Sequence, residues 1–225
     1  MPCDDFRHTG YQKFNNDMDI LSKLFGSEDR IKILRLFLFS STETFSFEDV
    51  IARTRVETRD AKKEIALLQN IGLIKKKPFV KDVVKKVRGK ELIVKEKGNG
   101  FTLDDKFPYL LSLKNLLITV SLHDNNDIIE RISKVGRIKA LIVAGVFIQD
   151  WESRVDMLVV GEGISMARLD SVVKILESEI GKEIRYSAFE TPDFEYRLGI
   201  YDKLIRDILD FPHTKLIDKL DLDNR

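Results

Sequence analysis

Apolar residues recur at helical spacing in the first third of the chain. Ser27 precedes one such segment and is a residue type that caps helix N-termini. Ser46, with Asp49 three residues later, resembles a capping box and predicts a short helix over residues 47–54. A turn over residues 55–58 then leads into a third helix, which Gly72 ends. The apolar stripes of the first and third helices are Ile31, Leu34, Phe37 and Leu38, and Ala61, Ile65, Leu68 and Ile71.

After Leu73 the pattern changes to lysines mixed with β-branched residues. Residues 92–94 and 101–103 predict two strands joined by a tight turn at Gly98-Asn99-Gly100. Arg88-Gly89 is a second turn signal, and the sequence leaves open which of the two turns forms the tip of the hairpin. A leucine-rich segment follows and predicts a connecting helix, which is either core between two domains or a dimerisation helix.

The second half of the chain alternates short apolar runs with helical patterns, which predicts a small α/β domain. The predicted strands cover 138–144, 155–160 and 184–189, and the predicted helices cover 127–135, 166–180 and 194–210. The predicted class of the whole chain is α+β. The predicted segments are a flexible tail (1–22), a helical domain with a hairpin (23–105), a helical connector (106–124) and the α/β domain (125–225).

The composition of the chain gives more information about its cellular compartment than about its binding partner. Cys3 is the only cysteine among 225 residues, which excludes a disulfide framework and a four-cysteine zinc site. No apolar run reaches the ~18 residues of a membrane span, and the first residues carry no apolar signal stretch. These features predict a cytoplasmic protein with no membrane partner.

The formal net charge of +1 hides an uneven distribution. Residues 75–97 contain ten Lys or Arg and three Asp or Glu, a net charge of +7, and the rest of the chain carries −6. A basic segment of this kind predicts an anionic partner.

The segment FSFEDVIARTRVETRDAKKEIALLQNIGLIKKK and the basic hairpin after it resemble the winged helix-turn-helix family over roughly residues 27–104. The resemblance implies that the third helix enters the major groove of double-stranded DNA while the hairpin, or wing, meets phosphates. The implied base-edge contacts are Thr58, Arg59, Lys62 and Lys63, and the implied phosphate contacts are Lys85, Lys86, Arg88 and Lys90.

The segment IKALIVAGVFIQDWESRVDMLVVGE resembles the minimal nucleotidyltransferase family, and the likeness covers roughly residues 125–210. That family places Gly-Ser after one strand and Asp-x-Asp on the next, because paired carboxylates hold the divalent metals. Gly145 matches the glycine, but Val146 stands at the serine and Arg154 at the first carboxylate. Asp156 keeps the second carboxylate, and residues 185–189, where the third is expected, carry no acid.

The departures from the nucleotidyltransferase pattern predict a catalytically inactive domain with neither metal nor cofactor. Arg154 and Asp156 are two residues apart on a predicted strand, so we expect them to share a face and pair with each other. Gly145, Arg154 and Asp156 then form a vestigial nucleotide site. Three histidines, His8, His123 and His213, lie far apart along the chain and show no metal or triad spacing.

The combined expectation is a homodimeric, DNA-binding transcriptional regulator whose α/β domain dimerises or senses a partner. Three alternatives remain open at this point. In the first, the chain is an active transferase that modifies a protein or small molecule. In the second, its winged helix acts only as a protein adaptor. In the third, the second domain is an unrelated α/β fold with a chance glycine and aspartate.

Overall fold

A computed structural model describes residues 17–87, 90–119 and 125–222. The described residues form a mixed α+β fold with nine α-helices and two β-sheets. The helices are α1 (Asp17–Phe25), α2 (Glu28–Phe39), α3 (Phe47–Thr54), α4 (Thr58–Asn70), α5 (Leu110–Lys114), α6 (Asn125–Ser133), α7 (Met166–Ile180), α8 (Thr191–Gly199) and α9 (Lys203–Leu209). The strands are β1 (Ile74–Val87), β2 (Lys90–Leu103), β3 (Arg137–Val143), β4 (Met157–Glu162), β5 (Tyr186–Glu190) and β6 (Thr214–Asp218).

The predicted helix starts in the first half are confirmed by their caps. The Ser27 side chain accepts a hydrogen bond from the Arg30 amide at 3.2 Å, at the start of α2. Both halves of the capping box between Ser46 and Asp49 are present at α3. Gly72 follows α4 with a positive φ of 79°, the conformation for which glycine is favoured. Ile71 was predicted to be buried but is 53% exposed, because α4 ends before it.

The basic region forms one long hairpin rather than the short one predicted. Strands β1 and β2 are 14 residues each and pair antiparallel from Ile74 with Leu103 to Val87 with Lys90. The predicted tight turn at residues 98–100 is therefore wrong, since these residues lie inside β2. Gly100 has a packing reason instead: a Cβ there would lie 2.6 Å from the carbonyl oxygen of Phe45, whose backbone pairs with Phe101.

The second half is a four-stranded sheet in the order β5-β4-β3-β6, with helices on both faces. Strands β4 and β5 are parallel and are connected by α7, while β3 is antiparallel to both β4 and β6. Alternate residues of β3 and β4 face two separate cores. Leu141 and Val159 pack with α6 and α7, whereas Ile142 and Val160 pack with α8 and α9. Burial on both faces explains why these strands read as continuous apolar runs.

Two features of the second half differ from the prediction. The helix expected over residues 194–210 is two helices, α8 and α9, separated at Tyr201, which has a φ of 57°. Strand β6 was not predicted. It follows Pro212 closely and has only five residues with mixed polarity, TKLID, so no run of apolar residues marks it.

Helix α2 is the central element of the fold. Seven of its twelve residues are buried, on all sides of the helix, because α1, α3 and α4 cover one part and α7 another. The uninterrupted segment ILRLFLF is the sequence signal for such an enclosed helix. Phe39, at its end, packs against the cores of both halves of the chain.

Arg35 on α2 is a charged side chain that is only 1% exposed. Its Nε donates to the carbonyl oxygen of Leu117 at 3.1 Å, in the π-helical turn Asn115–Thr119 that follows α5. Its Nη1 donates to the carbonyl oxygen of Glu179 at 2.9 Å, in the last turn of α7. The final carbonyls of a helix need partners and favour a cation. Arg35 thus ties three helical segments together.

Gly181 makes the approach of α7 to α2 possible. It ends α7 with a φ of 86°, and a Cβ at this position would lie 2.6 Å from the backbone carbonyl carbon of Arg35 and from the amide nitrogen of Leu36. The two backbones are therefore in direct contact, and only glycine combines this conformation with this separation.

We expect Arg35→Ala to lower the free energy of unfolding by about 3–5 kcal/mol, because it leaves buried carbonyls without donors and opens a cavity. Guanidinium chloride unfolding, followed by circular dichroism and by the fluorescence of Trp151, measures the loss. Arg137→Ala is the matched control, since the Arg137 side chain is 75% exposed and pairs only at the surface with Glu162. Its effect should stay below about 1 kcal/mol. Equal effects of the two substitutions would contradict the role given to Arg35.

Candidate functional site

The exposed face of α4 carries the residues that were predicted from the sequence to contact DNA bases. Thr58, Arg59, Lys62 and Lys63 are all exposed, and the i, i+4 spacing of 58 with 62 and 59 with 63 puts them side by side. The opposite face, with Ala61, Ile65 and Leu68, is buried. The structure therefore brings the four predicted contacts together on one solvent-facing surface, which we call the α4 face.

The cations of the α4 face have no carboxylate partner among the described residues. Arg59 and Lys63 make no ion pair there, and Lys62 contacts an aromatic ring, with Nζ 5.9 Å from the centroid of Phe47. Elsewhere in the described chain, arginines such as Arg131 and Arg197 are paired with acids at about 3 Å. No ion pair among the described residues therefore neutralises the positive charge of the α4 face.

Glu64 does not offset the positive charge of the α4 face, although it lies in the same helix. Its side chain is 4% exposed and points to the interior, where its Oε2 accepts from the Arg30 Nε at 2.7 Å. The sequence reading did not anticipate this pair. The only signal is that Glu64 shares a helix stripe with Ala61 and Leu68, which are both buried.

The hairpin adds basic residues beyond α4. Lys76 and Lys77 are exposed near the base of β1, while Lys75 is held there by Asp104 at 2.9 Å and Asp105 at 3.4 Å. Of the predicted phosphate contacts, Lys85, Lys86 and Lys90 lie in the paired parts of the two strands, but their side chains are outside the described residues. Arg88 is also outside them.

Asp156, the carboxylate retained in the nucleotidyltransferase-like segment, is fully buried. Its Oδ1 accepts from the amide of Val146 at 3.0 Å and from Arg185 Nη2 at 3.3 Å. Its Oδ2 accepts from the amide and the Nε of Arg185, at 2.9 and 3.0 Å. Four donors occupy this carboxylate, and all of them come from the protein itself.

Gly145 and Asp156 require each other. Gly145 has a φ of 53°, and a Cβ at this position would lie 1.9 Å from Asp156 Oδ1. The turn after β3 therefore folds directly over the carboxylate, and the amide of Val146 completes it. In this structure the Gly145–Val146 turn is bound by a side chain of the chain itself.

The predicted pair between Arg154 and Asp156 is wrong. Arg154 lies before β4 rather than in it, so the alternation expected of a strand does not apply. Its side chain is 68% exposed and pairs with Asp207 of α9 at 3.1 Å. Asp156 pairs instead with Arg185, which directly precedes β5. Only the tertiary structure brings this arginine to Asp156. Strand β5 ends at Glu190, one residue beyond the segment expected to lack acids, and the Glu190 carboxylate accepts from the amides of Gly163 and Ile164.

Other chemistry-bearing residues do not gather into a site. Within the described ranges, no three His, Cys, Asp or Glu side chains are placed to hold a metal ion. His213 contacts the carbonyl oxygen of Phe211 at 2.8 Å, while His8, His123 and Cys3 lie outside the described residues. None of the helices described here combines the length and apolar character needed to cross a membrane.

Comparisons with protein-family models, with curated proteins and with solved structures find no significant match to this chain.

We expect Asp156→Asn to destabilise the protein by about 2–3 kcal/mol, because the amide nitrogen faces donors that a carboxylate accepts from. Thermal unfolding followed by circular dichroism measures this change. Asp207→Asn is the matched control at the surface pair with Arg154, with an expected effect below about 1 kcal/mol. An Asp156→Asn protein as stable as the wild type would show that the carboxylate does not hold the turn.

Proposed function

We propose that this protein is a DNA-binding transcriptional regulator. Its α4 face contacts the bases of double-stranded DNA, and its β1–β2 hairpin contacts the DNA phosphates. The observation that carries the proposal is the set of exposed cations on α4, which lack carboxylate partners among the described residues. A helix of 13 residues is about 20 Å long, and the major groove admits such a helix. Arg59, near its N-terminus, is suited to a bidentate contact with guanine.

The order of the elements supports the same function. Helix α2, the bridge at Phe45, helices α3 and α4 and then the hairpin follow one another as in a winged helix-turn-helix. The short turn between α3 and α4 contains Arg55 in a left-handed conformation, which redirects the chain within three residues. Two buried contacts, Val50 and Val56, hold the turn against the core. This supports a rigid presentation of α4 to a groove.

The hairpin is suited to phosphate contact by its length and charge. Strands of 14 residues extend roughly 45 Å, more than twice the length of α4, so the hairpin offers a long surface for contact with a DNA backbone. The +7 charge of residues 75–97 would displace counterions from DNA, which makes binding depend steeply on salt.

We further propose that the α/β half is a nucleotidyltransferase-like scaffold without catalysis. The support is that four protein donors occupy Asp156, so this carboxylate is not free to hold a metal ion. The enzymatic alternative predicts transfer of label from a nucleotide in the presence of Mg²⁺, and such transfer by the wild-type protein would contradict the inactive scaffold.

The connector is proposed as a contact between two copies of the chain. Leu117 is buried, but Leu111 on α5 is 72% exposed and Tyr109, just before α5, is 67% exposed, so apolar side chains of this segment face solvent. A homodimer would place two α4 helices on successive major grooves.

For DNA binding, we expect Arg59→Ala and Lys63→Ala each to weaken the affinity by about 1–3 kcal/mol. Fluorescence anisotropy with a random-sequence duplex and with a selected duplex measures the change at several salt concentrations. Lys203→Ala is the control, because Lys203 is an exposed lysine on α9, away from the α4 face. It should leave the affinity unchanged.

The DNA-binding proposal fails if the wild-type protein binds no duplex at low salt, or if its affinity does not fall as salt rises. A winged helix that acts only as a protein adaptor predicts that Arg59→Ala and Lys203→Ala behave alike on DNA.

For self-association, we expect Leu111→Glu to weaken the dimer by about tenfold or more, because a charge would replace a leucine that the proposed dimer contact covers. Sedimentation equilibrium measures the dissociation constant. Leu24→Glu is the matched control, since Leu24 is 69% exposed on α1. A monomeric wild type, or equal effects of both substitutions, would contradict this contact.

A further inference from the structure

A cleft of about 340 Å³ lies where the C-terminal ends of α3 and α7 meet beside α2. Its volume is in the range of small-molecule sites, ~300–1,000 Å³. Ala52 is exposed and contributes apolar surface, while Leu36, which is almost fully buried, and Gly181 form part of the wall. The charged lining residues are Arg53, Arg55, Lys174, Glu177, Lys182 and Glu183.

The lining has a surplus of positive charge, with four cations against two carboxylates. Glu183 is taken by Arg53 at 2.9 Å. Glu177 accepts from the amide of Ile184 at 2.8 Å, and burial raises the pKa of its carboxyl. Arg55 and Lys174 have no ion-pair partner among the described residues. Lys182 also makes no ion pair there, but its Nζ lies 5.1 Å from the ring centroid of Trp151. Arg55 and Lys174 are therefore the lining cations with neither an ion pair nor an aromatic contact among the described residues.

Helix termini explain only part of this charge. Cations are favourable near the C-terminal carbonyls of α3 and α7. The carbonyl of Ile51, however, is already bonded to the Arg55 amide at 2.8 Å, so the guanidinium is not needed there. Arg55 also has a φ of 56°, a conformation that costs energy for any residue other than glycine. The Arg55 guanidinium makes no ion pair among the described residues, so it is available to an anionic ligand in the cleft.

We propose that this cleft binds a small phosphorylated molecule, whose phosphate contacts Arg55 and Lys174 and whose apolar part lies against Leu36 and Ala52. A phosphate dianion matches the charge surplus of the lining, and its several acceptor oxygens suit one guanidinium and one ammonium group. A single carboxylate has half this charge. The site does not depend on the proposed DNA binding, although it borders the turn that leads into α4.

Binding is tested with phenyl phosphate, which joins a phosphate to a small apolar ring, and with benzoate as the carboxylate of the same shape. Isothermal titration calorimetry measures affinity. The fluorescence of Trp151, the only tryptophan of the chain, provides a second readout because Lys182 Nζ lies 5.1 Å from its ring centroid. We expect saturable binding of phenyl phosphate, and binding of benzoate at least about tenfold weaker.

Two variants locate the site. Arg55→Gly removes the guanidinium and suits the left-handed backbone, so the fold is retained. Lys174→Ala removes the ammonium group. Arg168→Ala is the control, because it removes one positive charge from an exposed position of the same helix outside the cleft. We expect the first two to weaken phenyl phosphate binding by about tenfold or more and Arg168→Ala to leave it unchanged.

Three results would overturn the proposal: no saturable binding of phenyl phosphate to the wild type, benzoate binding as tight as phenyl phosphate, or equal affinity in Lys174→Ala and Arg168→Ala. DNA binding measured on the same variants separates this site from the α4 face. Arg59→Ala should bind phenyl phosphate like the wild type, whether or not it binds DNA.

Discussion

The guanidinium of Arg35 is almost fully buried at the junction of α2, α7 and the π-helical turn after α5. Removing such a charge from water is costly, and only correctly placed acceptors offset the cost. The carbonyls of Leu117 and Glu179 supply acceptors only while the three segments keep their positions. The contact of Gly181 with the α2 backbone imposes the same condition through sterics. The positions of α2, α7 and the turn after α5 are therefore set together at Arg35 and Gly181.

Both candidate surfaces follow from that arrangement. Helix α3 packs on α2 and on α7, so its end meets the end of α7 and leaves the cationic cleft between them. Helix α4 packs on α2 through its apolar stripe, which turns Arg59 and Lys63 outward. One enclosed helix therefore sets the position of the exposed cations and of the cleft.

Local signals in the sequence predicted local structure well. The cap at Ser27, the capping box at Ser46 and the glycine at position 72 are decided within a few residues, and each is found as predicted. The buried strands β3 and β4 were also recognisable, because burial on both faces makes most of their residues apolar. The exposure of the α4 face followed from the helical period alone.

Interactions between distant residues were beyond such signals. Asp156 forms an ion pair with Arg185, 29 residues away, because parallel pairing of β4 with β5 brings the two residues together. Gly100 lies inside β2 and closely approaches the backbone of Phe45, a contact between distant residues that turn rules do not include. Strand β6 depends on pairing with β3 rather than on its own composition.

The closed arrangement of Gly145, Asp156 and Arg185 also limits how this region can change during evolution. A substitution that freed Asp156 for a new ligand would at once leave the turn amide and Arg185 without their acceptor. A side chain at position 145 would collide with the same carboxylate. The three positions should therefore vary together, and single-step routes to new chemistry there are unfavourable.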